Sequence, residues 1–513
     1  MTAGQREGAS APAPAPNTLH ARRLGIDTQY EAVVFMRADC PICRSEGFAA
    51  QARVRLICGE RSIIATLYQV TADLLSHDEA GLSESAWRRL ALSGGETISV
   101  SHPRSLESLS NVRGKIYGRP LDAAALKEII TGIVAGRYSD IHLSSFITAC
   151  SARPLDHDET VALTQAMTDA GERLSWATQP IADKHCVGGL PGNRTTPIIV
   201  SIAAACGLTM PKTSSRAITS PAGTADAMET MAPVDLDIPN MRRVVEREGG
   251  CVIWGGAVRL SPADDTLIRV ERALDLDSEG QLVASVLSKK IAASSTHLVI
   301  DLPVGPTAKV RSEDAASTLS EGLMAVARTF NIEARVVVTD GLQPVGRGIG
   351  PALEARDVLT VLQGAPDAPP ALRNRAVALA GHLLELAGAA ADGSGSAVAA
   401  RSLESGAAWV KFQAICEAQG GMREPPVAPH CRPVVAVRAG RISTIDNRRL
   451  AKVAKLAGAP DAKAAGVEIH VRLGADIRAA EPLYTVHAQT PGELAYSLDY
   501  VAANEDIVGL TEM

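Results

Sequence analysis

The sequence predicts a multi-domain α/β protein, with a β-rich N-terminal domain, a helical subdomain, a mostly parallel α/β sheet domain and a small α+β C-terminal domain. Three observations predict it. Strand-length runs crowd residues 20–103, and the apolar period becomes helical from about 118 to 176. From about 178 to 345, near-continuous apolar strands alternate with helix patterns. A chain of 513 residues has material for two to four such domains.

In order along the chain, residues 1–19 are Ala/Pro-rich without an apolar signal-peptide core, which predicts a disordered tail. Residues 20–110 form the β-rich domain, with strands at 31–36, 53–59, 61–70 and 97–102 and one helix at 81–92. The helical subdomain is 115–177. There Leu126, Ile129, Ile130 and Ile133 follow i, i+3, i+4, i+7 spacing behind Asp122 as N-cap, and a second helix opens near Asp158. The α/β domain is 178–422, with apolar strands at 251–258, 296–304 and 333–341 and a helix at 312–330. Such runs suit a parallel sheet covered on both faces, whose ligands sit beyond the carboxyl ends of the strands. Helices at 350–421, broken at 392–396, are expected to pack back on the sheet or on the helical subdomain. After the Pro-rich joint 423–433, residues 430–513 read as β-hairpins around one helix, 447–458.

Composition excludes some classes of function. Aromatic residues are 3% of the chain and the formal net charge is -6, so neither stacking platforms nor a basic footprint for nucleic acid are expected. The most apolar long run, 376–391, contains His382 and Glu385, which predicts a core helix rather than a membrane span. Nine dispersed cysteines, an odd count, predict reduced thiols and a cytoplasmic protein. Cys40 and Cys43 lack further ligands at zinc-site spacing and are read as small residues of a turn, so no metal is expected.

Chemistry concentrates in two segments. The first is HCVGGLPGNRTT, residues 185–196. It lacks the G-K-[ST] of a nucleotide P-loop. Its glycines instead lead into a short helix with Thr196 as cap, Pro197 first and Gly207 as terminator, flanked by Lys184 and Arg194. Free amides and the dipole at such a helix start favour an anion. The second segment, KTSSRAITSPAGTADAMETM (212–231), is dense in hydroxyls and cations and offers another helix start at Thr224. Two oxyanion segments suggest one substrate with two anionic ends, or two substrates, one of them phosphate. Lys184, Arg194, Lys212 and Arg216 are more cations than inorganic phosphate alone requires.

These residues resemble the thymidine/pyrimidine-nucleoside phosphorylase family. Lys184-His185-Cys186-Val187-Gly188-Gly189, then Thr195-Thr196, then Ser214 through Glu229 match its motif order, and the resemblance runs over about 115 to 510. Within the family the chain is more similar to the nucleoside-monophosphate (AMP) phosphorylase branch. The motifs at 184–196, 213–230, 251–258 and 296–310 and an extra N-terminal domain carrying RSEGF (44–48) point that way. Cys186 stands where thymidine-type enzymes have serine, and Ile218-Thr219-Ser220-Pro221 replaces a Leu-Gly-His-Thr run.

The resemblance implies phosphorolysis. Inorganic phosphate, a co-substrate rather than a cofactor, attacks C1′ of a nucleoside or nucleotide and expels the base. It implies Lys184, Thr196, Ser214 and Thr224 around phosphate, and Gly189, Ser215, Arg216, Ala217, Ile218, Thr219, Ser220 and Thr224 around the nucleotide. Asp277 would protonate the leaving base, with Ser285, Lys289 and Lys309 contacting substrate. His185 either assists proton transfer or hydrogen-bonds within its loop, and Cys186 is a small loop residue rather than a nucleophile. No cofactor is implied, the partners are small molecules, and a homodimer or larger homo-oligomer is expected. The other readings weighed are a thymidine-type nucleoside phosphorylase, a magnesium-dependent phosphoribosyltransferase of related fold and a non-catalytic nucleotide sensor.

Overall fold

Alternation of buried and exposed side chains closes the first strands into a barrel. The computed structural model describes residues 17–217, 220–276 and 278–512. Its contacts divide the chain into two units, residues 1–111 with 131–142 and residues 112–130 with 143–513.

In the first unit six strands form a closed barrel in the order Thr18–Arg23, Glu79–Leu82, Val33–Arg37, Arg61–Val70, Arg53–Cys58, Thr97–Ser101. Val54 and Leu56 point inward while Arg53, Arg55 and Ile57 are partly exposed, the period-2 signature of a sheet with one buried face. Thr18–Arg23 and Glu79–Leu82 are strands that the sequence reading omits. The first lies partly in the expected tail, and the second occupies the start of the expected helix, which covers only Glu84–Leu90. Ser83 caps that helix through its Oγ, which accepts from the Ala86 amide at 3.3 Å. Cys40 caps the helix Pro41–Glu46 in the same way, its Sγ accepting from the Cys43 amide, and both thiols are buried.

The second unit begins with helices. Asp122 accepts from the Ala125 amide at 2.8 Å, as an N-cap should. The next expected cap moves from Asp158 to Asp156. Asp156 and Glu159 form a reciprocal capping box at the start of the helix His157–Asp169. Glu159 is buried and also accepts from Lys115 Nζ at 2.7 Å and from the Leu121 amide at 2.7 Å.

The α/β core is a parallel sheet. Glu333–Asp340, His297–Val304 and Ala182–Cys186 pair in that order, and Met210–Ser214 pairs with Gly250–Trp254. A parallel bridge between Ile181 and Thr209 joins the two sets. Along His297–Val304, Leu298, Ile300 and Leu302 face a cluster with Leu287 and Leu323, and Val299 faces another with Ile198, Leu379 and Phe412. Both faces are covered, so the strand is apolar between its ends except for Asp301. Ala182–Cys186 and Met210–Ser214 are again strands absent from the sequence reading, because they carry Asp183, Lys184 and Lys212.

Helices Pro351–Leu362, Pro370–Leu386, Gly395–Glu404 and Ala407–Gln419 follow. The C-terminal domain holds two small sheets and two helices, Asn447–Leu456 and Pro491–Ala502, where one helix is expected. One of its sheets incorporates Gly348–Ile349 from the preceding domain. Among the described residues no helix is long and apolar enough to cross a membrane.

Lys115 and Glu159 are each 4% exposed, so removing one partner strands a buried charge. Lys115→Met should lower unfolding free energy by about 3–5 kcal/mol in denaturant titrations, and adding Glu159→Gln should recover part of the loss.

Candidate active site

The two segments singled out in the sequence lie at the carboxyl ends of adjacent parallel strands. The loop 187–195 leaves Ala182–Cys186 and enters the helix Thr196–Ala205. Gly189 has φ +78°, and a Cβ there would stand 2.4 Å from the Lys309 amide nitrogen, so only glycine lets these two loops touch. The N-cap of the helix is Thr195 rather than Thr196, and no side chain caps its first amides. Thr195 is turned elsewhere, since its Oγ1 accepts from Lys184 Nζ at 2.9 Å. Thr196 and Pro197 are the first two helical residues and are buried.

The cations are committed to carboxylates. Lys184 is fully buried and lies 3.6 Å from Asp301 Oδ2. Asp301 in turn accepts from Asn193 Nδ2 at 2.8 Å and Thr339 Oγ1 at 2.7 Å. Arg194 donates to Glu354 at 2.7 Å, to Thr224 Oγ1 at 2.6 Å and to the Ala222 carbonyl at 2.9 Å, tying the glycine loop to the second segment. Lys212 lies 3.1 Å from Asp183. Arg216 makes two 2.8 Å bonds to Glu229, reaches Asp226 at 3.2 Å and lies over Trp254, 5.0 Å from the ring centroid. Each of the four cations counted in the sequence thus faces a carboxylate. Their number alone is therefore no measure of how many phosphates the site takes.

Asp226 organises the second segment. Its Oδ2 accepts from the amides of Ala217 at 2.6 Å and Gly223 at 2.9 Å. Lys463 approaches Asp226 at 3.5 Å and Glu229 at 2.9 Å. The Arg216 guanidinium, with help from Lys463, holds the Glu229 carboxyl down at about 2 despite partial burial. Within this segment Ser214 is buried and its Oγ finds no hydrogen-bond partner among the described residues. Ser215 is exposed, Ala217 half-buried, and Ser220 Oγ donates to the Ala222 carbonyl at 2.9 Å.

His185 follows Lys184 and is half-buried. Burial, reinforced by Lys290, Lys212, Lys289 and Lys184, holds its imidazole well below the usual range. It is therefore neutral and can exchange hydrogen bonds without carrying charge. Burial and the nearby Asp301 push the Cys186 thiol up to about 12, so no thiolate is available at neutral pH. Lys289 donates to Asp264 at 2.6 Å and to Ser285 Oγ at 3.3 Å on the helix Glu279–Ala292. Its neighbour Lys290 lies 2.8 Å from Asp183 and so ties that helix to the strand bearing Lys184. Ile218, Thr219 and Asp277 lie outside the described residues.

Sequence reasoning missed Asp183, Asp301, Asn193, Asp226 and Glu354 as supports. One signal was available, because Asp183 and Asp301 each interrupt a buried strand, and a lone carboxylate there requires a cation. Among the described residues no group of three histidine, cysteine, aspartate or glutamate side chains is placed to hold a metal ion.

Comparison with known proteins agrees with this architecture. The α/β domain profile of a glycosyl transferase family matches residues 178–409, and that family's helical bundle domain matches residues 112–171. A "Putative thymidine phosphorylase" from Polaromonas sp. strain JS666 is 61% identical over 497 residues, covering 97% of each chain. "Putative thymidine phosphorylase 2" from Acidovorax sp. strain JS42 is 59% identical over 512 residues and 100% of each chain. Anthranilate phosphoribosyltransferase from Thermus thermophilus superimposes with a TM-score of 0.51 at 20% identity, covering 60% of this chain and 98% of that one. The Saccharomyces cerevisiae enzyme, solved with PRPP and Mg, gives 0.51 at 15% identity, covering 61% and 98%. At these identities the two structures speak for the fold alone.

The carboxylate of Asp226 is the common acceptor for the amides of Ala217 and Gly223. Asp226→Ala should cut turnover on the order of a hundredfold through misplacement of those amides. Steady-state rates, compared with a thermal melt that stays cooperative, check this.

Proposed function

Since this chain belongs to the thymidine/pyrimidine-nucleoside phosphorylase family of pentosyltransferases, we propose that it cleaves nucleoside 5′-monophosphates with inorganic phosphate. The products are the free base and ribose 1,5-bisphosphate. The observation that carries the reading is Ser214, a buried hydroxyl left without a partner among the described residues at the carboxyl end of its strand. Lys184 stands on the adjacent set of strands and an uncapped helix start follows it. A tetrahedral dianion would satisfy that hydroxyl and the first amides of the helix together. Phosphate so held attacks C1′ as the glycosidic bond breaks, through a transition state with oxocarbenium character. The electrons of that bond pass to the base, which needs a proton or a hydrogen bond as it leaves. By resemblance Asp277 supplies the proton.

What supports a monophosphate is Arg216. It lies over the Trp254 ring and pairs with Glu229, and its side chain remains 33% exposed. A 5′-phosphate in that segment would meet its guanidinium edge. The second reading, a nucleoside phosphorylase acting on thymidine, is favoured by the names of relatives that match almost the whole chain. Under either reading no cofactor is required. All nine cysteines are free thiols, which suits a cytoplasmic enzyme.

Incubation with phosphate and AMP, CMP, UMP or thymidine, following free base, separates the two readings. At least one monophosphate should exceed thymidine in kcat/KM by roughly tenfold or more. Release from thymidine with none from any monophosphate would sink the monophosphate assignment. Asp277→Asn should lower turnover by about 10²–10⁴ with little change in the melting curve, and near-normal rates would remove it from the acid role.

A further inference from the structure

Beneath the glycine loop two lysines share one carboxylate. Asp183 Oδ1 lies 3.1 Å from Lys212 Nζ, and Oδ2 lies 2.8 Å from Lys290 Nζ. The Lys184 amide donates to Oδ1 at 2.7 Å and Ser295 Oγ to Oδ2 at 3.2 Å, which fills the carboxylate. Asp183, Lys212 and Lys290 are 2%, 5% and 2% exposed, so water does not screen them. The neighbouring carboxylate, Asp301, is engaged with Lys184. Three ammonium groups, Lys184, Lys212 and Lys290, therefore meet two carboxylates, Asp183 and Asp301. Fully protonated, this buried node carries one uncompensated positive charge, which a low-dielectric interior strongly disfavours. Either one lysine gives up its proton or an anion comes to balance it.

The geometry points to Lys212 as a proton reservoir for the anion site, binding a proton as inorganic phosphate enters beside Lys184 and Ser214 and releasing it as phosphate leaves. This rests on the reading that phosphate is the co-substrate. Lys212 precedes Ser214 by two residues on one strand, so both side chains emerge on the same face. Burial first, and then the Lys290 charge, draws the Lys212 ammonium down to about 7 against the pull of Asp183. The groups around it come from every neighbouring element. They are Asp183, Lys184 and His185 on one adjacent strand and Cys251 on the other, with Lys290 and Ser295 from the helix side. His185 is held neutral and the Cys251 thiol is held far above its usual range by burial, so neither competes for the proton near pH 7. The proton comes from the buffer acid, whose bond to it breaks as the Lys212 N–H bond forms, and no other bond changes.

The sign follows. Well below pH 7 Lys212 is already an ammonium, phosphate meets the full charge, and no proton is taken up. Above pH 7 it is neutral in the free protein, and an arriving dianion raises its proton affinity. Uptake then accompanies binding, and the affinity for phosphate falls as pH rises.

Calorimetric titration of the full chain with inorganic phosphate, in two buffers of different ionisation heat at pH 8, measures the uptake. The ionisation of phosphate itself contributes equally to every variant. Wild type should take up a fraction of a proton more than either Lys212→Met or Lys290→Met, because each variant leaves a balanced lysine–aspartate pair. At pH 6 the Lys212→Met variant should bind phosphate roughly tenfold more weakly than wild type, the gap closing by pH 8.5 as Lys212 loses its charge. Uptake in Lys212→Met equal to wild type would overturn the proposal alone, as would loss of all phosphate binding in both variants. A wild type that binds no phosphate overturns the phosphorylase reading and this proposal with it.

Discussion

Three lysines buried beside one glycine-rich loop, Lys184, Lys212 and Lys290, are the constraint around which the α/β domain is arranged. Taking an ammonium out of water costs several kcal/mol even after relaxation, so each must find a carboxylate with well-made hydrogen bonds. Asp183 and Asp301 supply them from paired parallel strands, three positions apart in register: Asp183 pairs with Leu298, and Asp301 with Cys186. Each carboxylate is itself filled by local donors, Ser295 and the Lys184 amide for one, Asn193 and Thr339 for the other. Buried charge is thereby balanced locally by Asp183 and Asp301.

That balance dictates the loops. Lys184 can bond Thr195 only if the intervening chain turns tightly, which the glycines of 188–192 permit with φ of +95°, +78° and +67°. The loop is then held from outside by Arg194, whose guanidinium reaches Glu354 in one direction and Thr224 and Ala222 in the other. Glu354 is buried, which alone would push its carboxyl up, and Arg194 works against that. Arg194 thus links the glycine loop to the second segment, and Asp226 gathers the amides of Ala217 and Gly223 within that segment.

Much of this was legible in the sequence where one signal dominated. The apolar runs at 297–304 and 333–340 and the helix 313–329 fall within a residue of expectation, because both sheet faces and one helix face bury hydrocarbon. The glycine turn leading into the helix 196–205 was legible because glycine and proline have narrow backbone roles. Strands 182–186 and 210–214 were not, since their charges imitate surface chain and only the fold brings Asp183 to Lys212 and Lys290. Arg194 and Glu354 are 160 residues apart, a pairing no local pattern encodes. The cap of the helix 196–205 fell one residue early for a similar reason: Thr195 is drawn to Lys184, a tertiary contact that overrides local capping preference.

The C-terminal domain, most of which lies beyond the 178–409 span that the family profile matches, is also part of the site's construction. Lys463 meets Glu229 and Asp226, the carboxylates that hold Arg216. Asn447 is fully buried; its side-chain amide donates to Thr307 and to the Gly341 carbonyl, fixing the loops that follow the two outermost paired strands. Arg472 donates to the carbonyls of Pro344, Val345 and Gly346, and the amides of Val345 and Gly346 donate in turn to Pro191 and Gly192 of the glycine loop. Contacts thus run from this domain to the helix Thr224–Glu229 and to the loops that follow His297–Val304 and Glu333–Asp340, the latter reaching the glycine loop. A scaffold shared with phosphoribosyltransferases positions the strands, and the domain appended to it sets how firmly their loops are held.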